Sequence, residues 1–289
     1  MKRDLLCLGF GYCAERLADM LRAEGWIVTG TTRDPRKAGQ MKASGYRAID
    51  PAEAGAMDKA FSGASHILVS ASPAKAGDPF LGMAEAALTR RAAPPEWIGY
   101  LSTTGVYGVS DGSTVSEDTP PRPVLQRGKA RLEAERAWTA LAARIGAPLS
   151  IFRLAGIYGP GRSAIDQIRA GTAKRVVKPG QVFNRIHVDD IARILLASIA
   201  DPAADGIYNV ADDMPSPPQD VVAHAANLLG VPPPPETPFE QADLSPMAKS
   251  FYEENKLIDN RRVKERLGVS FLYPDYRAGL AAILAQDQQ

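Results

Sequence analysis

The sequence has little of what disulfide-rich, metal-binding or membrane-spanning proteins depend on. Its 289 residues include two cysteines, Cys7 and Cys13, which are too few for a disulfide framework and supply too few ligands for a metal site. The three histidines, His66, His187 and His224, are scattered without ligand spacing. These scarcities predict a cytoplasmic protein in a reducing environment, with no bound metal.

Long apolar runs and an excess of one charge are also missing. No run approaches the roughly 18 apolar residues of a membrane span, and Glu15, Arg16 and Asp19 interrupt the first apolar stretch, which argues against a signal peptide. The 34 basic and 33 acidic residues are spread along the chain and leave a net charge of +1. We therefore expect neither a nucleic-acid nor a membrane partner.

What is present is an alternation of short apolar runs with helical patterns. The apolar runs lie at 5–9, 25–31, 45–50, 65–71, 96–102 and 149–156. Between the first two, Ala14, Leu17, Ala18 and Leu21 fall at i, i+3, i+4 and i+7, which is typical of an amphipathic helix. Strands that alternate with helices predict an α/β fold, a Rossmann-type doubly wound parallel sheet covered on both faces.

The composition of the chain changes after about residue 156, where proline-rich loops such as "GVPPPPETPFEQADLSP" appear. Residues 1–156 are predicted to form a dinucleotide-binding domain. Residues 157–289 are predicted to return partly to the sheet and partly to form a smaller C-terminal substrate region, without a sharp boundary.

A glycine-rich turn stands between the first predicted strand and the first helix. Residues 9–14, "GFGYCA", match G-x-G-x-x-A, the dinucleotide pattern with alanine in the third position. The first glycine permits a tight turn, the second lets the backbone approach a pyrophosphate, and the helix N-terminus offers N–H groups to the phosphates. We predict cofactor contacts from Gly9, Phe10, Gly11, Tyr12 and Cys13; the alternative is a merely tight strand–helix turn.

The end of the second predicted strand indicates which dinucleotide binds. Here the pattern expects an acidic residue for the ribose 2′-hydroxyl, whereas this sequence has Thr31 and Thr32, followed by Arg33. A guanidinium with small hydroxyls suits a 2′-phosphate. NADP(H) is therefore favoured, while NAD(H) stays open because Asp34 could turn inward.

Eight fragments carry a family resemblance along nearly the whole chain. They are 9–14, 100–108, 116–123, 129–135, 152–162, 184–192, 206–213 and 255–280. In their order they resemble the extended short-chain dehydrogenase/reductases of the NAD-dependent epimerase/dehydratase type, and more narrowly the atypical YeeZ-like branch. The resemblance implies a Rossmann fold, a small-molecule substrate and, as in many members, a homodimer formed through two helices.

The resemblance also implies a catalytic set that is incomplete here. Typical members use a Ser or Thr to orient the substrate, a Tyr to transfer the proton and a Lys to lower the pKa of that Tyr and bind the nicotinamide ribose. The family pattern places Thr103 at the hydroxyl position and Lys129 at the lysine. Leu125 stands where the tyrosine belongs, and leucine cannot transfer a proton.

Three interpretations of the missing tyrosine remain open. In the first, another group supplies the proton; the candidates are Tyr107, Tyr100, Tyr158, His187 and Glu117 with Asp118, and a structural role is favoured for Tyr107. In the second, the reaction needs no such group. In the third, the protein binds NADP(H) without catalysis, and Lys129 only holds the ribose or is a solvated helix lysine.

Further contacts are predicted around the cleft. Asp50, Ala71 and Leu154, at the ends of other predicted strands, are assigned to the cofactor together with Lys129. For the substrate, the resemblance points to Arg162, Asn184 and Arg185. The two arginines suit an anionic group such as a phosphate or carboxylate, or they pair with nearby carboxylates instead.

These observations predict an NAD(P)-binding oxidoreductase or epimerase/dehydratase-like protein without the usual catalytic tyrosine. The alternative is a catalytically silent NADP(H)-binding sensor or partner-binding protein. Leu125 favours the alternative, whereas Thr103, Lys129 and the cleft arginines favour an enzyme.

Overall fold

The structure is a computed structural model, which describes residues 3–74 and 77–287. The strands are β1 Asp4–Leu8, β2 Ile27–Thr31, β3 Arg47–Ile49, β4 His66–Val69, β5 Trp97–Thr103, β6 Thr114–Val115, β7 Leu149–Leu154, β8 Gly156–Tyr158, β9 Arg175–Val177, β10 Arg185–His187, β11 Gly206–Val210, β12 Glu236–Pro238 and β13 Leu257–Ile258.

The helices are α1 Tyr12–Ala23, α2 Pro35–Ala43, α3 Ala56–Gly63, α4 Leu81–Leu88, α5 Gln126–Ile145, α6 Ala164–Arg169, α7 Val188–Ala200, α8 Pro218–Leu228, α9 Pro246–Phe251, α10 Arg261–Leu267 and α11 Tyr276–Gln286. Short 3-10 turns lie at Thr104–Val106 and Phe239–Gln241. No helix in the described part of the chain is both long and apolar enough to cross a membrane.

Seven strands form one parallel sheet in the order β3-β2-β1-β4-β5-β7-β11. This confirms the predicted doubly wound α/β fold. Starting from β1, the next strands are added on one side (β2, β3) and the later ones on the other side (β4, β5, β7, β11), so the strand order switches between β1 and β4. Ligands of such sheets bind beside the carboxyl ends of the strands at this switch point. Every side chain of β4 and β7 is buried, because helices cover both faces of a parallel sheet.

The two faces carry separate cores. On one face α1 packs against α7, and the predicted stripe of α1, including Leu17 and Leu21, is fully buried. On the other face α3, α4 and α5 pack through Phe61, Leu88 and Trp138. The sheet therefore holds a continuous apolar layer on each side, and its carboxyl edge is left for polar groups.

The C-terminal part of the chain first completes the sheet and then covers its edge. Strand β11 pairs with β7 at the end of the sheet. Three small parallel pairs, β8 with β10, β9 with β12 and β6 with β13, connect the remaining segments. Helices α6, α8 and α11 close around a separate core of Ile165, Val221, Leu280 and Ile283.

A buried polar network ties these layers together. The Arg153 guanidinium donates to both carboxylate oxygens of Glu135, at 3.1 and 2.8 Å. It also donates to the Tyr107 hydroxyl at 3.1 Å, and that hydroxyl donates to Asn209 Oδ1 at 2.6 Å. Ser102 donates to Glu135 as well. Both charged side chains are under 5% exposed, at 3% and 4%, so each depends on the other for neutralisation.

The Glu135→Gln variant is expected to be strongly destabilised. The amide keeps the shape of the side chain but leaves the Arg153 guanidinium buried without a counter-charge, which lowers the free energy of unfolding by about 3 to 5 kcal/mol. Urea denaturation followed by circular dichroism measures this. Glu133→Gln, on an exposed position of the same helix, is the matched control and should stay within about 0.5 kcal/mol of wild type. Equal stability of the two variants would contradict the role given to the pair.

Candidate active site

The glycine turn lies at the carboxyl end of β1, next to the switch point. Gly9 has φ +85°, and a Cβ there would lie 3.0 Å from the Ala71 backbone nitrogen, so no larger residue fits. The Gly9 N–H donates to Thr31 Oγ1 at 2.6 Å, and the Gly9 carbonyl accepts from Ser70 Oγ at 2.8 Å. Thr31 is buried, so its hydroxyl fixes the turn.

The N-terminus of α1 is open to a ligand. Gly11 is its N-cap, and a Cβ built on Gly11 meets nothing within 4 Å. Within the described ranges no side chain caps this helix, so its first N–H groups are free to bind an anion. Phe10 and Cys13 have buried side chains and present only backbone here. Tyr12 donates its hydroxyl to the Pro160 carbonyl at 2.9 Å.

The end of β2 presents a cation without a carboxylate partner. Arg33 is exposed, and in the described structure no hydrogen bond or ion pair involves its side chain. The Asp34 carboxylate instead caps α2 by accepting from the Arg36 N–H at 2.9 Å, and the Thr32 hydroxyl accepts from the Asp34 N–H at 3.2 Å. Asp50 caps a turn through the Ala52 N–H at 2.9 Å.

The family's catalytic positions come together at the end of β5 and the start of α5. Thr103 is half-buried and its Oγ1 accepts from the Gly105 N–H at 3.1 Å. Helix α5 packs closely against the segment after β5: a Cβ on Gly128 would lie 2.6 Å from the Gly105 carbonyl oxygen, so only glycine fits there. Leu125 is the N-cap of α5, and Lys129 follows one turn later with an exposed side chain.

The phenols considered as replacement proton donors are buried and already hydrogen-bonded. Tyr107 belongs to the network around Arg153, and burial raises its pKa. Tyr100 is fully buried on β5, and burial raises its pKa to about 12. The Tyr158 hydroxyl donates to the Asp275 carbonyl at 3.3 Å, and burial raises its pKa too. These three hydroxyls therefore take part in hydrogen bonds within the fold.

The remaining replacement candidates are held by the same kind of contact. His187 is buried beside Tyr158 and Tyr273, its Nδ1 accepts from the Asp189 N–H at 3.2 Å, and burial lowers its pKa to about 4. Glu117 accepts from the Asn209 N–H at 2.8 Å, inside the buried network. The Asp118 carboxylate, next in the sequence, pairs with Arg262 at the surface. Among the described residues His187 Nε2 has no hydrogen-bond partner, but the ring is fully buried and is not part of the cavity lining.

A cavity of about 1050 Å³ lies between the sheet edge and the C-terminal helices. Thr103 and Leu154 line it from the carboxyl ends of β5 and β7, and Arg162, Asn184 and Arg185 line it from the C-terminal side. The glycine turn, Arg33, Asp50 and Ala71 follow β1 to β4 along the same edge. The structure thus divides the predicted residues into a dinucleotide half and a cavity half.

The three predicted substrate residues differ in what they can still bind. Asn184 uses both ends of its amide on backbone, donating to the Lys256 carbonyl at 2.8 Å and accepting from the Ile258 N–H at 3.1 Å. Arg185 donates through one nitrogen to the Phe183 and Ser216 carbonyls. Arg162 is exposed, with its guanidinium 6.0 Å from the Tyr12 ring centroid.

A second charged group lies near Arg185. Burial raises the pKa of Asp212 to about 7, and the Arg185 charge opposes that rise. No ion pair joins the two side chains in the part of the chain that is described. The Arg185 guanidinium therefore keeps hydrogen-bonding capacity and positive charge on the cavity wall, as an anionic ligand requires.

Several polar side chains at the cavity or its border were not predicted from the sequence. They include Arg127, Arg131, Glu254 and Lys256. Arg131 donates to the Leu101 carbonyl and to Ser72 Oγ, which joins α5 to the ends of β4 and β5. Arg127 and Arg131 are each two positions from Lys129 and so lie on a different face of the helix, and spacing along α5 gave no signal for them. Glu254 and Lys256 reach the cavity only because β13 pairs with β6.

Comparison with known proteins identifies the relatives of this chain. It is 31% identical over 290 residues to Protein YeeZ of Escherichia coli K12, covering 94% of this chain and 97% of YeeZ. A conserved protein of Silicibacter pomeroyi DSS has a solved structure with a TM-score of 0.89, 47% identity and 99% coverage of both chains. MoeE5, solved in complex with UDP-glucose and NAD, gives a TM-score of 0.78 at 23% identity, covering 99% and 98%.

The family model described as the NAD dependent epimerase/dehydratase family matches residues 6–211. That range runs from β1 through β11 and so contains the whole seven-stranded sheet, the glycine turn and the Thr103–Lys129 region. With the YeeZ relationship across 94% of the chain, the match confirms the resemblance drawn from the sequence fragments. The chain belongs to the NAD dependent epimerase/dehydratase family, in its atypical YeeZ-like branch.

Proposed function

We propose that this protein is a nicotinamide-dependent enzyme, preferring NADP(H), that oxidises or reduces a hydroxyl or carbonyl carbon of an anionic, nucleotide-sugar-like substrate. The observation that carries the proposal is the placement of an open dinucleotide turn and a large cavity on one sheet edge. Thr103 stands at the cavity end of that edge, on the strand next to β4.

The residues present fit a dinucleotide. Gly9 and Gly11 leave room for a pyrophosphate against the uncapped start of α1, where the N–H groups and helix dipole favour anions. Lys129, exposed near the start of α5, would hold the nicotinamide ribose, as in the family. The nicotinamide ring, when bound, accepts or donates the hydride. Thr103 then orients the reacting oxygen of the substrate.

The preference for a 2′-phosphate rests on the end of β2. Arg33 carries an unneutralised charge there, and the Thr32 side chain adds a small hydroxyl. Asp34, the one carboxylate in this segment, is turned toward the α2 backbone, so its repulsion of a phosphate is reduced by the helix N–H groups that it caps. These features support NADP(H) over NAD(H).

The substrate class rests on the cavity. Its volume, about 1050 Å³, exceeds that of most drug-sized ligand sites, and Arg162 and Arg185 line it. Guanidinium groups recognise phosphates and carboxylates by paired hydrogen bonds. MoeE5 and the UDP-glucuronic acid 4-epimerase of Bacillus cereus, with the same fold, were solved with NAD and UDP-sugars, and we extend that substrate class to this protein.

A second candidate function is a catalytically silent NADP(H) sensor. One observation favours it: Leu125 caps α5 at the position of the family's proton-transferring tyrosine. In that case Lys129 would bind the ribose and the cavity would take a regulatory ligand or partner segment. The two functions differ in turnover but share the cofactor.

Titration with NADPH and NADH, followed by nicotinamide fluorescence, tests the cofactor assignment. We expect NADPH to bind at least about tenfold more tightly, a gap of about 1.4 kcal/mol. Arg33→Ala should remove most of that gap by weakening NADPH alone. Arg136→Ala, an exposed arginine on α5, is the control and should bind both like wild type. Tighter NADH binding would refute the NADP(H) preference, and no binding of either would refute both candidate functions.

Replacing Thr103 by valine tests the enzyme assignment. Thr103→Val keeps the side-chain shape but removes the orienting hydroxyl, so turnover should fall at least about 100-fold while NADPH affinity changes less than twofold. Turnover is measured with UDP-glucose and UDP-glucuronic acid, by nicotinamide absorbance and by NMR of the sugar product. Thr114→Val, on an exposed position of β6, is the control. Wild-type turnover in Thr103→Val would remove Thr103 from the mechanism, and a fully inactive wild type that binds NADPH would favour the sensor.

A further inference from the structure

One carboxylate oxygen on the cavity wall has no partner. Glu254 Oε1 is shielded from solvent and no donor reaches it among the residues described. Burying a carboxylate oxygen without a donor is costly, so such a group calls for a functional or ligand-based explanation. The Glu254 side chain as a whole is 12% exposed and lines the cavity, so Oε1 lies just behind the cavity surface, where a small rotation of the side chain would bring it to a donor on a bound ligand.

This oxygen lies beside the orienting threonine. A Cβ built on Gly105 would be 3.4 Å from Thr103 Oγ1 and 3.9 Å from Glu254 Oε1. Both oxygens therefore lie within 4 Å of one point above Gly105, a residue with no side chain of its own. A substrate hydroxyl held near this point would face the Thr103 hydroxyl and the Glu254 carboxylate together.

The second oxygen of Glu254 is held by a buried cation. Lys256 Nζ donates to Glu254 Oε2, and the Lys256 side chain is only 7% exposed. The backbone of this segment is fixed from the cavity floor, since Gln181 Nε2 donates to the Glu254 carbonyl at 2.8 Å and Asn184 Nδ2 to the Lys256 carbonyl at 2.8 Å. These contacts hold the Glu254–Lys256 pair in place, and Glu254 Oε1 is the carboxylate oxygen that has no donor among the described residues.

The other groups considered for proton transfer are engaged elsewhere. Tyr107 and Tyr158 have hydrogen-bond partners within the fold, and His187, bonded through Nδ1 only, is buried away from the cavity lining. The further charged or titratable groups on the cavity wall are Arg127, Arg162, Asp166, Lys174, Arg185, Tyr252 and Tyr276. None of these is shown next to Thr103, as Glu254 is.

We propose that Glu254 is the proton-transfer residue that replaces the missing tyrosine, with Lys256 as its positioning residue. This rests on the proposed oxidoreductase function. In the oxidising direction the substrate O–H bond breaks and its proton passes to Glu254 Oε1. The electron pair of that bond forms the carbonyl, and the hydride that leaves the carbon is taken up by the oxidised nicotinamide dinucleotide. In the reducing direction the protonated carboxyl returns its proton to the substrate oxygen.

A readout without turnover is the binding of UDP-glucose to the NADPH-bound protein, in which the reduced dinucleotide cannot take a hydride from the sugar. Isothermal titration calorimetry compares wild type, Glu254→Leu and Glu253→Gln. Glu254→Leu removes the oxygen that accepts from the substrate hydroxyl, so UDP-glucose should bind at least tenfold more weakly while the affinity for NADPH stays unchanged. Lys256→Gln, which removes the positioning cation but keeps the carboxylate, should weaken UDP-glucose binding less than Glu254→Leu does.

The outcomes separate this inference from the proposed function. If neither cofactor binds, the oxidoreductase proposal fails, and the role of Glu254 fails with it. If NADPH binds and UDP-glucose binds wild type and Glu254→Leu equally well, only the role of Glu254 is refuted. If NADPH binds and UDP-glucose does not bind wild type, the proposed substrate class fails, and the role of Glu254 on that substrate fails with it. Glu253→Gln, the exposed neighbour, should bind UDP-glucose like wild type.

Turnover of the UDP-sugars gives a second, sharper arm. Glu254→Gln keeps an oxygen that can accept a hydrogen bond but cannot take a proton, so it should lower kcat at least 100-fold with little change in KM and should abolish one limb of the wild-type pH profile of kcat. Glu253→Gln should behave as wild type. Adding Leu125→Tyr to Glu254→Gln should restore part of kcat, because a phenol then stands at the family's usual position. A wild-type pH profile in Glu254→Gln would overturn the assignment.

Discussion

The structure depends on one buried ion pair. Arg153 on β7 and Glu135 on α5 neutralise each other beneath the sheet edge, and Tyr107 and Asn209 extend the contact to the segment after β5 and to β11. Two strands, a helix and the chain that follows Thr103 are therefore fixed by the same charges. Since a buried charge tolerates little displacement from its partner, the start of α5 is also fixed relative to the Thr103 segment.

That constraint also keeps the start of α5 in place. Helix α5 packs against the Thr103 segment through Gly128 and Gly105, so Leu125, the N-cap of α5, stands beside the end of the strand that carries Thr103. The network uses Tyr107 and Glu117, which removes them from the set of free catalytic groups. The opposite wall of the cavity, built from β13 and the residues before it, then brings the unpartnered carboxylate of Glu254 to the same place.

Much of the fold and half of the candidate site follow from local patterns in the sequence. The alternation of apolar runs with helical stripes predicts the parallel sheet, and a parallel sheet places the ends of its strands on one edge. The turn around Gly9 is set by a local steric rule, so the structure shows there the φ above zero and close backbone approach that the pattern requires. The cavity half was only partly foreseen, since Asn184 turned out to hold backbone of the 256–258 segment and Glu254 carried no signal.

The sequence by itself determined the sheet, the dinucleotide turn, the family and the absence of tyrosine at position 125, because each depends on residues close together along the chain or on the order of short motifs. The tertiary structure alone decided which polar groups are consumed by the fold and which stay free. Whether a tyrosine is bonded to a buried arginine, or a glutamate approaches Thr103 from the segment before β13, about 150 residues later, depends on long-range pairing and burial. Those are energies of the packed molecule, and no local pattern encodes them.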